Sequence, residues 1–530
     1  MKQYIFLLFL IFIFTGCGGS SNDSVSNDTT SSNIETTGDS NISRLPVSDP
    51  VKAVTDTTVQ TPAQTLSQVK QDAADIIPVE ESDATQTTPS TSIVTPVDEA
   101  VRQQKKSVTI YVHGYDDKGV TYDTTYGYDA YDPLLDRLVT LTGFDTLLTY
   151  DPENFSDIVT ITPYYGANPP DYYDGNDIAD IEEVTKTYGG GIPRYAMIVA
   201  KYARHVMELT GAEQVNFVSA SMGSLVTRWL VEKDLEHLAS EKKIAKWYSL
   251  EGVIRGNKMA SNKDLVKYAN TFEKQPIDVT HMSYQWIEAN LHKPKSKMAS
   301  AYYGSIETIF ESSTKASDPF GWLMPKTPND GYQAVADTYF ETFLPQTKYK
   351  GYAPAHTYFH QTHLGLKKYD GAWASVATFL LPHKRVRVTL TEATVEDIHE
   401  KTYYFNKEAE IVFESEVFSP YIKQIWNITD AIDQRLYDSG ALPIHKYKKD
   451  GETKALNQVI FDGYVLDQTE QLIVKMAAYE VDQSAKYGVH DELGTKAKLG
   501  GNTIQIDLQN GNYEIVGKDW IGTISVEIIN

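Results

Sequence analysis

The stretch that decides the fold is VSASMGS, residues 218–224. It follows a short apolar run, Gln214-Val-Asn-Phe-Val218, which predicts a buried β-strand. After it, apolar side chains recur at helical spacing from about Met222 to Lys233, which predicts a helix packed by one face. The stretch therefore predicts a tight strand-to-helix turn with Ser221 at its apex.

A serine at such a turn is a candidate nucleophile. The turn strains the backbone, and the residues two before and two after the serine must be small to avoid collisions. Ser219 and Gly223 meet this requirement. The turn also places the Ser221 hydroxyl at a helix N-terminus, where the backbone N–H of Met222 can face a developing oxyanion. The alternative interpretation is an ordinary serine-rich turn.

The neighbouring segments predict an α/β fold. Apolar, β-branched runs at Val108–His113, Ile158–Thr162 and Trp247–Leu250 predict further buried strands. Between the second and third predicted strands lies a helical pattern, with Gly189–Gly191 before it, Pro193 in its first turn and Gly211 after its end. Its apolar face is predicted to comprise Tyr195, Ile198, Val199, Tyr202, Val206 and Leu209. Alternating strands and helices predict a mainly parallel sheet with helices on both faces, over residues 106–383.

After about residue 383 the pattern changes to strict alternation, which predicts an antiparallel β-sandwich over residues 384–530. The alternating runs are Val386–Leu390, Glu410–Phe413, Leu472–Met476, Ile504–Leu508 and Ile524–Ile528.

The N-terminal segment suggests export. Lys2 precedes an almost wholly apolar run from Tyr4 to Phe14, which has the length of a signal-peptide core. It ends at Cys17, and the stretch Phe14-Thr15-Gly16-Cys17 resembles a bacterial lipoprotein signal. In that family the cysteine receives a diacylglycerol, so residues 1–17 are predicted to be a lipoprotein signal with lipidation at Cys17. The alternative is an ordinary signal peptide with an incidental cysteine.

Residues 18–105 form a polar Ser/Thr-rich tract without apolar periodicity, which predicts a disordered tether between the anchor and the folded part. The predicted location is the bacterial cell envelope. By the same lipoprotein analogy, Gly18 after the cysteine favours the outer membrane.

Charge and cysteine content exclude several classes of function. The formal net charge is −23 and basic runs are absent from the sequence, so nucleic acid is not an expected partner. Cys17 is the single cysteine, which excludes an intrachain disulfide and a thiolate zinc site.

Residues 107–370 resemble the bacterial lipase branch of the α/β-hydrolases. Beside the serine turn, three segments match in the family's order: His113-Gly114-Tyr115, Pro328-Asn329-Asp330-Gly331 and His360-Gln-Thr-His363-Leu-Gly-Leu366. The chain departs from the family pattern Gly-x-Ser-x-Gly at Ser219, and from a Pro-His-x-Gly phrase where it has Gly252–Gly256.

The resemblance implies a catalytic triad of Ser221, Asp330 and His363. It also implies an oxyanion hole from the backbone N–H groups of Tyr115 and Met222. A histidine must shuttle the serine proton, and a carboxylate must fix its tautomer. His363 fits the phrase best, with His360 and then His356 as alternatives, and Asp318 and Asp337 are alternative acids.

These features predict a serine hydrolase that cleaves carboxylic esters through an acyl-enzyme and needs no metal or organic cofactor. Two alternatives stay open. The same triad could transfer the acyl group to an alcohol, or the chain could be a non-catalytic envelope binding protein on a hydrolase scaffold.

Two further features have open interpretations. The long insert between Leu250 and Tyr302 is either a lid or acyl pocket, or an extra helical layer. It contains Tyr268, Phe272, Met282, Tyr284, Trp286, Ile287 and Leu291. In the C-terminal region the acids Asp397, Glu480, Asp482 and Asp491–Gly494 resemble the loops of C2-like calcium modules, although scattered loop acids are commonly just solvated.

Overall fold

The computed structural model describes residues 106–115, 133–151, 157–162, 164–165, 170, 172–262, 266, 276–293, 302–316, 324, 328–340, 349, 352–398, 408–420, 435–439, 443–481 and 496–530. The predicted signal, Cys17 and the predicted tether lie outside the described residues.

The centre of the molecule is a six-stranded, wholly parallel sheet in the order β2-β1-β3-β4-β5-β6. The strand β3, which leads to the serine turn, lies in the interior of this sheet. Parallel strands in the interior are covered on both faces, and this accounts for the continuous apolar runs in the sequence. The strands are β1 (Ser107–Val112), β2 (Ile158–Ile161), β3 (Gln214–Ala220), β4 (Ile244–Leu250), β5 (Glu307–Ser313) and β6 (Ala355–Phe359).

Helices cover both faces of the sheet, as predicted. Ile110 and Val112 of β1 join the apolar cluster that contains the helices after β2 and β3, whereas Tyr111 joins the cluster on the opposite face. The helices are α1 (Pro133–Thr142), α2 (Gly175–Tyr188), α3 (Gly191–Thr210), α4 (Met222–Glu232), α5 (Pro276–His281), α6 (Tyr284–Asn290), α7 (His363–Leu366) and α8 (Asp370–Leu380).

Helix α3 matches its predicted limits closely. Pro193 lies in its first turn, and Gly211 follows its end with a left-handed φ of 69°. One predicted core residue differs: Leu209 is 44% exposed, because the part of α3 within the apolar cluster ends at Met207.

The C-terminal part contains two antiparallel sheets, of orders β10-β8-β12-β13, with β9 beside β8, and β11-β7-β15-β14. All five predicted alternating runs overlap these strands. Their inward side chains, such as Val388, Phe413 and Val474, form one buried cluster between the sheets. The strands are β7 (His383–Val395), β8 (Ala409–Phe418), β9 (Arg435–Asp438), β10 (His445–Tyr447), β11 (Glu452–Leu466), β12 (Gln471–Val481), β13 (Lys496–Asp507), β14 (Gly511–Val516) and β15 (Trp520–Ile529). The predicted α/β fold with additional antiparallel sheets is confirmed.

Within the described ranges, no helix combines the length and apolar character needed to cross a lipid bilayer.

Candidate active site

The serine turn is strained. Ser221 lies between the end of β3 and the start of α4 with φ 50° and ψ −122°, a region that L-residues seldom occupy. Backbone hydrogen bonds hold it there. The Ser221 N–H donates to Leu250 O at 2.9 Å, and its carbonyl accepts from the N–H of Val253 at 3.0 Å. The turn is therefore tied to the segment that follows the neighbouring strand β4.

Gly223 is required by the close approach of α4 to β1. A Cβ at this position would lie 2.3 Å from Val112 O and 2.4 Å from His113 O, both of them backbone atoms that cannot step aside. Any side chain would push the start of α4 away from β1. The glycine thus places the helix N-terminus beside the segment that follows β1.

The structure brings Ser221, His363 and Asp330 together from three separate segments. The Ser221 Oγ and His363 Nε2 are 3.0 Å apart, and His363 Nδ1 is 2.7 Å from Asp330 Oδ2. His363 is the first residue of α7, whose N-terminus is capped by the Thr362 hydroxyl accepting from the Gly365 N–H. Two consecutive hydrogen bonds thus connect the three predicted triad residues.

The loop that follows β5 fixes the Asp330 carboxylate. Its Oδ1 accepts from the backbone N–H groups of Tyr332 and Gln333, at 2.8 and 2.7 Å. The backbone carbonyl of Asp330 also accepts from the His363 N–H at 3.1 Å. Because a carboxylate accepts from Nδ1–H, the histidine presents its unprotonated Nε2 to the serine hydroxyl. The arrangement can remove a proton from Ser221.

The segment after β1 lies directly against the serine. A Cβ on Gly114 would be 3.0 Å from the Ser221 Cβ, so only glycine allows this approach without a shift. The Tyr164 hydroxyl donates to His113 O at 2.5 Å, and its ring stacks on the His113 ring with centroids 4.1 Å apart. Tyr115, the predicted oxyanion residue, is the next residue along this segment. Met222, its predicted counterpart, is the first residue of α4.

The alternative residues lie elsewhere. The ring nitrogens of His356 pair with the Ser312 and Tyr358 hydroxyls, and burial lowers the pKa of His356 to about 3. His360 contacts the Thr314 hydroxyl at 3.4 Å. The Asp337 carboxylate accepts from the Tyr284 hydroxyl at 2.5 Å. Asp318 lies outside the described residues.

Two buried acids beside the triad were not predicted. Glu251 is fully buried, and its Oε2 is 3.5 Å from His363 Nδ1. Glu311 is also fully buried, and burial raises the pKa of its carboxyl well above the usual value. Glu251 immediately follows a predicted strand. The rule that the carboxyl ends of parallel strands meet at one edge could therefore have identified it.

Among the residues described, Glu251, Asp330 and His363 form the one group that could hold a metal ion, each offering an atom within 4.8 Å of the others. In the structure, His363 Nδ1 and Asp330 Oδ2 instead meet at hydrogen-bond distance. This geometry suits a catalytic triad better than a metal site.

The insert after β4 is in part a helical layer. Ile287 of α6 and Leu291, which follows this helix, join the main apolar cluster, and Met282 and Trp286 pack against it. Tyr268 and Phe272 lie outside the described residues, and so the lid alternative stays a prediction. Of the predicted calcium acids, Glu480 lies in β12 and Asp397 follows β7, whereas Asp482 and Asp491–Gly494 lie outside the description. Calcium binding stays a prediction.

No protein-family model and no curated protein matches the chain. Several solved structures match parts of the chain at low similarity. The mature lipase BlEst2 of Bacillus licheniformis is 13% identical, covers 55% of this chain and 94% of its own, with a TM-score of 0.33. Phospholipase PlaB of Legionella pneumophila is 11% identical, and the match covers 79% of this chain and 91% of PlaB with a TM-score of 0.34.

A C2 domain matches 28% of this chain and 99% of its own at 7% identity and a TM-score of 0.16. Similarity this low says nothing about activity. The α/β-hydrolase fold assignment follows from the chain itself: its parallel strand order, the Ser221 turn after the interior strand β3, and the chain order serine, acid, histidine.

Proposed function

We propose that this protein is a serine hydrolase that cleaves carboxylic esters. The observation that carries the proposal is the continuous hydrogen-bond sequence from the Ser221 hydroxyl through His363 to Asp330, set on a strained strand-to-helix turn. A serine at hydrogen-bond distance from a buried histidine, itself oriented by a carboxylate, is the arrangement used in serine nucleophilic catalysis.

In the proposed mechanism, Ser221 Oγ attacks the ester carbonyl carbon while His363 Nε2 takes the hydroxyl proton. The resulting imidazolium keeps its Nδ1–H on Asp330. The carbonyl oxygen gains negative charge, which the N–H groups of Met222 and Tyr115 stabilise. His363 then protonates the leaving alcohol. Water next attacks the carbonyl carbon of the acyl-enzyme as His363 Nε2 takes its proton, and His363 returns that proton to Ser221 Oγ as the carboxylic acid leaves.

Two observations favour an ester of a lipid-like acid. The motifs around Ser221, Asp330 and His363 resemble those of bacterial lipases. The aromatic ring of Tyr332 also lies beside the His363 ring, with centroids 5.1 Å apart, and adds apolar surface next to the histidine. Rates on p-nitrophenyl esters of graded acyl length would test the assignment. Faster turnover of the longer acyl esters supports it, and turnover of acetate alone, or of no ester in the series, contradicts it.

A fluorophosphonate probe tests the nucleophile independently of substrate choice. It phosphonylates activated serines, so the wild-type chain should gain one label, on Ser221, identified by peptide mass spectrometry. Ser221→Ala should gain none. Labelling of Ser221→Ala at the wild-type rate, or of another residue, would contradict the proposal.

We also propose that Cys17 carries the lipid that holds the protein in the cell envelope. The support is the apolar run that ends in Thr15-Gly16-Cys17. Two or more acyl chains hold a protein firmly to a bilayer, whereas one is marginal. Cys17→Ala should move the protein from the membrane to the soluble fraction with its ester turnover intact. Unchanged membrane association would rule the anchor out.

A further inference from the structure

A second carboxylate faces the imidazole of His363. Besides Asp330 Oδ2 at 2.7 Å, Glu251 Oε2 lies 3.5 Å from the same Nδ1. Glu251 is fully buried, and a buried carboxyl group is costly unless polar or charged groups lie beside it. Its position beside Nδ1 of His363, where the positive charge of an imidazolium would develop, suggests that it supports this histidine.

The backbone holds Glu251 in this place. It directly follows β4 with a φ of 42°, in the left-handed region. Its N–H donates to Glu311 O at 3.0 Å and faces the Glu311 Oε2 at 3.2 Å. The preceding residue, Leu250, accepts from the Ser221 N–H. The strained residue Glu251 thus lies in the segment that is hydrogen-bonded to the turn holding the nucleophile.

We propose that Glu251 is a positioning residue that supports His363 beside Asp330 and takes its place when Asp330 is lost. The inference rests on the proposed function. When His363 accepts the Ser221 proton, the ring becomes an imidazolium that keeps its proton on Nδ1. Asp330 accepts the Nδ1–H bond, and Glu251 lies next to the new positive charge. No proton passes to either acid.

The hydrogen bonds of Asp330 predict different effects on catalysis for Asp330→Asn and Asp330→Ala. Its Oδ1 is held by the N–H groups of Tyr332 and Gln333, so in Asp330→Asn the amide oxygen keeps that position. The amide NH₂ then points at His363 Nδ1 and donates to it, which selects the wrong tautomer for catalysis. In Asp330→Ala no donor competes, and the Nδ1–H can turn to Glu251.

The test is ester turnover of Asp330→Ala and Asp330→Asn, each alone and combined with Glu251→Gln. Asp330→Asn should lose about 10⁴-fold in kcat. Asp330→Ala should retain on the order of ten- to a hundredfold more kcat than Asp330→Asn, the size of one hydrogen bond to a charged group. Glu251→Gln should abolish that difference, because it removes the substitute carboxylate.

Glu311→Gln is the matched control. It changes an equally buried acid that contacts Glu251 and not the imidazole. The higher kcat of Asp330→Ala relative to Asp330→Asn should therefore persist in its presence. If Asp330→Asn is as active as Asp330→Ala, or if the difference persists with Glu251→Gln, the proposal is overturned.

Glu251→Gln alone gives a second test that does not depend on the Asp330 variants folding. It should lower kcat severalfold at unchanged KM and without a lower unfolding temperature. An unchanged kcat would overturn the role of Glu251. Fluorophosphonate labelling of Ser221 in the wild-type chain separates the two failures: if it occurs, only the inference about Glu251 falls, and if it does not, the proposed function falls first.

Discussion

The indole Nε1–H of Trp247 donates a hydrogen bond to the Ser219 Oγ at 2.7 Å, in a site where both side chains are fully buried. Ser219 occupies the first glycine position of the Gly-x-Ser-x-Gly pattern that this turn resembles. The Ser219 hydroxyl accepts a hydrogen bond from the buried indole of Trp247, which a glycine could not accept. This bond explains how the serine turn accommodates the departure from the family pattern.

Removing that acceptor should destabilise the fold without disabling the site. Ser219→Ala leaves a buried indole N–H without its partner, a loss of about 1–3 kcal/mol in the free energy of unfolding. Urea unfolding measures it. Trp247→Phe in the same chain serves as the control, because removing both partners should cost less than the sum of the single changes. Additive losses would show that the two groups do not interact.

The hydroxyl of Tyr164 should matter for catalysis because it holds the segment that carries Tyr115. Tyr164→Phe loses the bond to His113 O, worth about 1 kcal/mol, and should lower kcat about fivefold with little change in KM. Tyr173→Phe is the matched control, since its hydroxyl donates to a backbone carbonyl in α3, Ile198 O, at 3.1 Å. Equal losses of kcat in the two variants would contradict a specific effect on the oxyanion segment.

Asp278, a buried acid that accepts hydrogen bonds from two tyrosines, should make the stability of the fold depend on pH. Burial raises the pKa of Asp278 to about 8, and the hydroxyls of Tyr195 and Tyr165 donate to its Oδ2 at 3.2 and 3.4 Å. In the unfolded chain the carboxyl ionises near pH 4. Between about pH 4 and 8 the folded state thus holds a proton that the unfolded state has lost, and stability contributed by this group falls as pH rises.

Asp278→Asn removes the ionisation and keeps an acceptor for the tyrosines. Its stability relative to the wild-type chain should therefore rise from pH 5 to pH 8, as measured by urea unfolding at both values. An equal difference at the two pH values would show that Asp278 is ionised in the folded protein throughout.

The sequence predicted the elements whose local pattern is strong. Strand β3, the Ser221 turn and α4 have apolar runs of clear period, and the small residues at Ser219 and Gly223 marked the turn. His363 could be chosen among three nearby histidines because its phrase matched a family motif, and its pairing with Asp330 followed from chain order.

Other parts could not be predicted because polar residues interrupt the pattern. Strand β5 contains Glu307, Glu311 and two serines that are buried in the fold, so its sequence does not resemble a core strand. The position of Glu251 at a strand end was readable from the sequence, but its contact with His363 depends on segments brought together from distant parts of the chain. Tertiary contacts, which one sequence does not display, decide both cases.

The central claim is that Ser221, His363 and Asp330 act as one catalytic unit. The most direct measurement is kcat on a p-nitrophenyl ester for Ser221→Ala, His363→Ala and the double variant, each checked for unaltered folding. We expect each single change to lower kcat by about 10⁴- to 10⁶-fold and the double to be little worse, because residues that act as a unit are non-additive. Full turnover by Ser221→Ala would contradict the account.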